Sequence, residues 1–226
     1  MVSTTMMNNL LKEIQSKGYL ILHKDDLIHD NVLKNTVSDI FSKVRLNHET
    51  LFTNIRFNNI DKKIKSNTEF ENIVNSDYIQ TSDNFFQIWK WANIPINEYP
   101  YILEYLNKIV KSIYEKDITY SYGTTKIHQT ISYTLFQKGC SIVSHVDKSY
   151  LSKNRVCAIL CYFSEDWEEE YGGYLVVDGK EVVLPNEGTI CVLDFTKNNI
   201  LHEVTKVTQN MNRFCLTAFI DIKDYE

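Results

Sequence analysis

From residue 131 onward the chain is a succession of short runs rich in β-branched and aromatic residues. They are ISYTLFQ (131–137), VCAILCYF (156–163), GYLVV (173–177), EVVL (181–184), TICVLDF (189–195), HEVTKV (202–207) and FCLTAFIDI (214–222). Runs of this length and composition favour strands over helices. Turn chemistry separates them: Lys138-Gly139, Gly172-Gly173, Asp178-Gly179 and Pro185-Asn186-Glu187-Gly188. Asp-Gly between two apolar runs is a strong two-residue hairpin signal, because both turn residues must adopt positive φ. Many short antiparallel strands in one stretch must bury their apolar faces against each other. That predicts a double-sheet jelly roll, a double-stranded β-helix core.

The first half reads differently. Leu10, Leu11 and Ile14 lead into a short GYLILH strand, Leu27 to Val44 reads as a second helix, and Tyr101 to Tyr114 is the clearest helix. Within it Ile102, Tyr105, Leu106, Ile109, Val110 and Ile113 recur at three- and four-residue steps, forming one apolar stripe. With only seven Gly and three Pro, and no repeat or low-complexity linker, the simplest organisation is a single domain over 1–226. Residues 1–118 would be mainly helical support and 119–226 the jelly-roll core. The expected fold class is mostly β with helical support (α+β), the N-terminal helices packing on one sheet.

Net charge is −5 and no Lys/Arg cluster occurs, which speaks against a nucleic-acid partner. No uncharged apolar segment approaches bilayer length, so no membrane role is expected. The five cysteines, Cys140, Cys157, Cys161, Cys191 and Cys215, form no C-x-x-C pair, and four lie in strand-like runs. They read as reduced core thiols, and the expected location is cytoplasmic.

Against this background His145, Asp147 and His202 stand out, with Arg213 beyond them. They form His-x-Asp…His, with 54 residues between Asp147 and His202 and Arg213 a further 11 residues on. Residues two apart on a strand share a face, so His145 and Asp147 can reach one ion from a single strand end. His202 would then arrive from a neighbouring strand of the opposite sheet. Two imidazoles and a carboxylate on one face of a metal leave three positions open, an arrangement typical of non-haem Fe(II) chemistry. A guanidinium nearby offers a planar fork suited to a carboxylate.

Residues from about 131 to 222 resemble the Fe(II)/2-oxoglutarate-dependent oxygenase superfamily, in particular its prolyl-hydroxylase-like branch. The likeness rests on Gly139, six residues before the first His; on CAILCYFSEDWEEEYGGYL; on LPNEGTICVLDF; and on LHEVTKVTQNMNRFCLTAF. It implies that His145, Asp147 and His202 ligate Fe(II) and that Arg213 anchors the C5 carboxylate of 2-oxoglutarate. Tyr133, Tyr162 and Thr217 are candidates for a hydroxyl contact to that carboxylate. It implies O2 as oxidant, with ascorbate a candidate reductant. The sequence departs from the family at Phe136, where relatives often have Tyr, and at Cys161 and Cys215, where they often have Tyr or Ser. Gly172 and Gly173 read as a tight turn without a catalytic part. The resemblance also implies that the carboxylate of Asp147 favours hydroxylation, or a related desaturation or cyclisation, over halogenation, since halogenases of the superfamily lack it.

The resemblance implies a dioxygenase that hydroxylates an unactivated C–H of an amino-acid residue, peptide or free amino acid and releases succinate and CO2. A tailoring oxygenase for a small natural product is the alternative, and a non-catalytic jelly-roll binder of metal or oxoacid is the alternative outside enzymes. A zinc hydrolase is disfavoured, lacking a His-Glu-x-x-His helix and having no use for Arg213. The aromatic segment 84–101, with Phe85, Phe86, Trp89, Trp91, Tyr99 and Tyr101, would either wall the substrate pocket or glue helices to the sheet. Lys148, Tyr150 and Arg155 border the metal motif, Arg155 reading as a solvated loop charge. His23, His29, His48 and His128 have no ligand-like spacing.

Overall fold

The computed structural model describes residues 4–57, 60–74, 87–116, 131–147, 155–196 and 200–221. Phe85, Phe86, His128, Lys148 and Tyr150 lie outside the described residues. The elements in order are α1 (Thr4–Lys17), β1 (Tyr19–His23), α2 (Lys24–Leu27), α3 (Asn31–Leu46), α4 (His48–Leu51), β2 (Asn54–Phe57), β3 (Ile60–Lys63), α5 (Asn67–Val74), β4 (Gln87–Ala92) and α6 (Tyr99–Tyr114). Then follow β5 (Ile131–Phe136), β6 (Ser141–His145), β7 (Arg155–Tyr162), β8 (Leu175–Val177), β9 (Glu181–Val183), β10 (Thr189–Asp194), β11 (His202–Val204) and β12 (Arg213–Asp221).

Every strand pair is antiparallel, and the order is β1-β10-β7-β12-β5-β4-β6-β11-β8-β9, with β2 and β3 continuing outward from β4. The sheet folds back on itself. β4 is the corner: Lys90–Ala92 pair with β5 on one layer, while Gln87 and Ile88 pair with β6 on the other. The double-stranded β-helix read from the sequence is the observed core.

Strand alternation separates two apolar clusters. On β12, Phe214, Leu216, Ala218 and Ile220 face the helices, joining Leu10 and Ile14 of α1, Val37, Ile40 and Phe41 of α3, and Ile102, Leu106 and Ile109 of α6. Cys215 faces the inside of the roll with Tyr162, Leu175, Val177, Cys191 and Val204. The stripe on α6 is buried as its spacing predicts, and Pro100 in its first turn is preset for helix entry. All five cysteines are free and buried. No helix among the described residues is long and apolar enough to cross a membrane.

Three expectations need correction. The first half is mainly helical and holds the expected GYLILH strand, but three strands not read from the sequence, β2, β3 and β4, also lie there, and β4 occupies the middle of the sheet. Four-residue strands carry little local signal and exist through their pairing. Next, Leu27 to Val44 is not one helix. A single turn, α2, ends at Leu27, and α3 starts after Asp30, whose carboxylate accepts the Leu33 N–H at 3.0 Å as an N-cap. Finally, β11 stops at Val204, short of the 202–207 run, and pairs with β6, the strand at whose end the sequence reading puts His145. The Asp-Gly hairpin did form: Asp178 and Gly179 have φ of 55° and 66°, and the Lys180 N–H donates to the Val177 carbonyl.

Candidate metal centre

β6 ends on His145 and β11 begins on His202, and the two are direct register partners. The strands of the two histidines therefore belong to the same layer, hydrogen-bonded to each other, and not to opposite layers as the sequence suggested. A register shift between His202 and Val204 brings Ile142 and His145 both opposite inward-facing positions of β11. Adjacency sets the imidazoles 4.3 Å apart, centroid to centroid.

Asp147, two residues past the strand end, turns its carboxylate back between them. Oδ1 is 3.3 Å from His145 Nε2, and Oδ2 is 3.3 Å from His202 Nε2. One donor atom from each residue lies within 4.8 Å of the others. Among the described residues this is the only such group of three or more.

The far side of each ring decides what this convergence can do. His145 Nδ1 lies 2.9 Å from the Val143 carbonyl and His202 Nδ1 lies 3.1 Å from the Ile200 carbonyl. Carbonyls only accept, so both Nδ1 atoms carry the proton, a tautomer assigned from the network. Neutral rings then present two Nε2 lone pairs to a carboxylate. The arrangement needs positive charge at its centre, either a proton on each ring or a cation among the three. Two imidazole nitrogens and a carboxylate oxygen are a donor set for a divalent transition metal. Burial works against the ionised form of Asp147, but the two imidazoles outweigh it and hold the carboxyl well below the usual range. For His145, burial disfavours the charged ring, yet the adjacent carboxylate leaves its pKa raised overall.

Arg213 opens β12 opposite Phe136 and is 2 % exposed. Its guanidinium lies between two rings, 4.7 Å from the centroid of Phe136 and 4.9 Å from that of Tyr162. One N–H donates to the Tyr162 hydroxyl at 3.3 Å, and Nε is buried with no acceptor among the described residues. No carboxylate among the described residues pairs with it. A buried cation without a counter-charge is costly, so the site is suited to an anion. Burial keeps the Tyr162 hydroxyl protonated, and its own proton remains available to such an anion.

The remaining candidates divide by strand face. Thr217 lies on the Arg213 side of β12, its hydroxyl 3.4 Å from that of Thr134. Tyr133 lies on the other side: its register partner is Leu216, its hydroxyl donates to Glu98 at 3.2 Å, and its ring meets Phe41 and Phe163 in the helix layer. Phe136, which lacks a hydroxyl, gives Arg213 its ring face instead. Sequence reasoning had no sign of that contact or of Thr134, because both depend on the β5–β12 register.

Gly172 and Gly173 do act as a turn. At Gly172, φ +65°, a Cβ would collide with the Lys206 carbonyl; at Gly173, φ +67°, it would meet Val207 Cγ2 at 2.7 Å and approach Arg213 Cδ to 3.4 Å. Arg155 is not a solvated loop charge: its side chain is 14 % exposed and lies over the Phe219 ring near Asp221.

Residues 128–221 match the family model of the 2OG-Fe(II) oxygenase superfamily. The matched stretch holds His145, Asp147, His202 and Arg213. Among solved structures it is similar to a Pseudomonas putida prolyl-4-hydroxylase, with 14% identity over 96% of this chain and 98% of that one, TM-score 0.59. A Trichoplax adhaerens prolyl hydroxylase, in complex with a hypoxia inducible factor oxygen degradation domain peptide fragment, is 16% identical over 96% and 89%, TM-score 0.60. The viral collagen prolyl hydroxylase of Paramecium Bursaria Chlorella virus-1, in its 2OG complex, is 15% identical over 91% and 97%, TM-score 0.52. At such identities the structural likeness speaks for the fold. No curated protein matches the chain in sequence.

Proposed function

We propose that His145, Asp147 and His202 hold Fe(II), that Arg213 with Tyr162 binds the far carboxylate of 2-oxoglutarate, and that the enzyme hydroxylates an amino-acid residue in a peptide or a free amino acid. The observation that carries this reading is the buried Arg213, sandwiched by two rings and lacking any described carboxylate, in a protein that also gathers His145, Asp147 and His202. A structural cation would have been given an acidic partner; a carboxylate-binding one is better without it. The organisation of 1–226 as one unit belongs to the same proposal.

Fe(II) and 2-oxoglutarate, when bound, would activate O2, one oxygen atom going to the hydroxylated C–H and the other to the succinate formed as the oxoacid is oxidised and loses CO2. The chain supplies geometry. Val143 and Ile200 carbonyls fix both imidazole tautomers, so that each Nε2 lone pair would be available to the ion. Asp147, held ionised by the two imidazoles, would contribute a carboxylate oxygen and the negative charge. Arg213 and Tyr162 orient the oxoacid by charge-assisted hydrogen bonds. The substrate class is supported by likeness to prolyl hydroxylases, one of them solved with a peptide fragment.

Anaerobic titration of the apoprotein with Fe(II) and 2-oxoglutarate tests the cofactor assignment through the visible metal-to-ligand charge-transfer band. A band in the wild type that Asp147→Ala abolishes is the expected result. Well-folded protein without a band overturns the assignment. Succinate release with a panel of peptides and free amino acids then tests the substrate class.

A further inference from the structure

The outer strands β2 and β3, with β4, have an inverted surface pattern. Their covered face is ordinary: Ile55, Ile88 and Lys90 are buried beneath α5, where Phe70 and Val74 lie. The opposite face is half-open, yet it carries two tryptophans. On β4 Trp89 and Trp91 share that face, and their register partners on β2 are Arg56 and Asn54. Arg56 in turn pairs with Asp61 of β3, and Asn54 with Lys63.

These side chains are organised among themselves. The Trp91 indole N–H donates to Asp61 Oδ1 at 3.2 Å, and Arg56 Nη1 donates to Asp61 Oδ2 at 2.8 Å. Both carboxylate oxygens are thereby engaged, which holds the indole and the guanidinium in place. Arg56 keeps further N–H donors, and with Lys63 the face has one more positive charge than negative, in a chain of net charge −5. The same face continues into the interior of the roll. Trp91 is opposite Thr134 on β5, and Trp89 stacks on Phe136 at 6.0 Å with the rings 6° from parallel; Phe136 in turn covers Arg213.

We infer that Trp89, Trp91 and Arg56, braced by Asp61, form a recognition surface for an extended acidic peptide, the flanking part of a peptide substrate. This rests on the proposed function and narrows its substrate class. Neighbouring strands are about 4.8 Å apart, so β2 lies two strands, roughly 10 Å, from β6, the strand that ends on His145. An extended chain covers about 3.5 Å per residue, so a free amino acid cannot bridge the interior and this surface, whereas a segment of some four residues can. Aromatic and Arg side chains on a half-open face are the residue types that anchor protein ligands. The local positive charge selects acidic residues over basic ones.

The test is affinity selection without added iron, using three pools of capped random decapeptides enriched in Asp/Glu, in Lys/Arg or in Asn/Gln, with retained peptides identified by mass spectrometry. Wild-type protein is expected to retain the acidic pool preferentially. Arg56→Glu and Trp91→Ala should each reduce that retention at least tenfold, with Arg56→Gln in between. Equal retention of all pools, no retention, or unchanged retention by these variants overturns the inference. Should Arg56→Glu fail to fold, Arg56→Gln reads the same charge dependence. The charge-transfer band, measured separately, should be the same in wild type and Arg56→Gln. A missing wild-type band counts against the metal assignment, and peptide selection is read independently of it.

Discussion

Replacing Arg213 by Met separates a ligand-binding cation from a structural one, because the two roles predict opposite balances of stability and affinity. In the apoprotein the guanidinium is desolvated, has no described carboxylate partner and leaves Nε without an acceptor. What it gains are two ring contacts and one hydrogen bond to Tyr162. Each ring contact is worth about 0.5–2 kcal/mol and the neutral-acceptor hydrogen bond about 1.5 kcal/mol, offset by a desolvation cost of several kcal/mol. Removing the charge while filling the space should therefore change apoprotein stability by no more than about 1 kcal/mol in either direction. Affinity behaves otherwise. Truncating one side of a buried, hydrogen-bonded charge pair costs about 2–5 kcal/mol, which is roughly 30- to 5,000-fold in dissociation constant. Anaerobic titration of the charge-transfer band at fixed Fe(II) reads the 2-oxoglutarate constant, and urea denaturation of the apoprotein reads stability. A variant that loses several kcal/mol of stability while binding 2-oxoglutarate with wild-type affinity would refute the reasoning.

Further outcomes follow from neighbouring contacts. Tyr162→Phe should weaken 2-oxoglutarate binding about 3- to 10-fold, the worth of one hydrogen bond, whereas Tyr133→Phe should leave it unchanged because that hydroxyl faces Glu98; equal effects in the same titration would reverse the assignment of strand faces. Gly173→Ala should destabilise by about 1–3 kcal/mol in urea melts, since the new methyl meets Val207 and Trp167 at a positive φ; a neutral result would show that the turn relaxes. Lys90 is buried against Phe70 and Asn67, and burial lowers its pKa. Below its depressed folded value the charged amine costs stability; as pH rises from there toward the ordinary lysine range, the unfolded chain holds more protons and wild-type stability increases. Lys90→Met should therefore have its greatest advantage near neutral pH and lose it as pH approaches 10, and a pH-independent difference would contradict this.

The metal motif was legible because metal chemistry demands residue types that leave little freedom: two imidazoles and a carboxylate in strand-end positions, with a cation downstream. Helix α6 was legible because its stripe, Ile102 to Ile113, repeats over about three turns. Tyr133 and Tyr162 show where this ends. Both are tyrosines in apolar strands, and their local sequences are equally permissive. The register alone places Tyr133 opposite Leu216, on the helix side, and Tyr162 opposite Cys215, on the interior side. A shift of one residue exchanges faces, so no local pattern can choose between them.

The sequence by itself determined the strand-rich core and the identities of the converging side chains, because spacing, residue chemistry and turn preferences are local properties. Only the tertiary structure decided that His145 and His202 are partners across one strand pair, that β4 turns the corner joining both layers, and that Arg213 is clasped between Phe136 and Tyr162. Those facts arise from pairing between segments far apart in the chain, where register and bulges fix which face each side chain occupies.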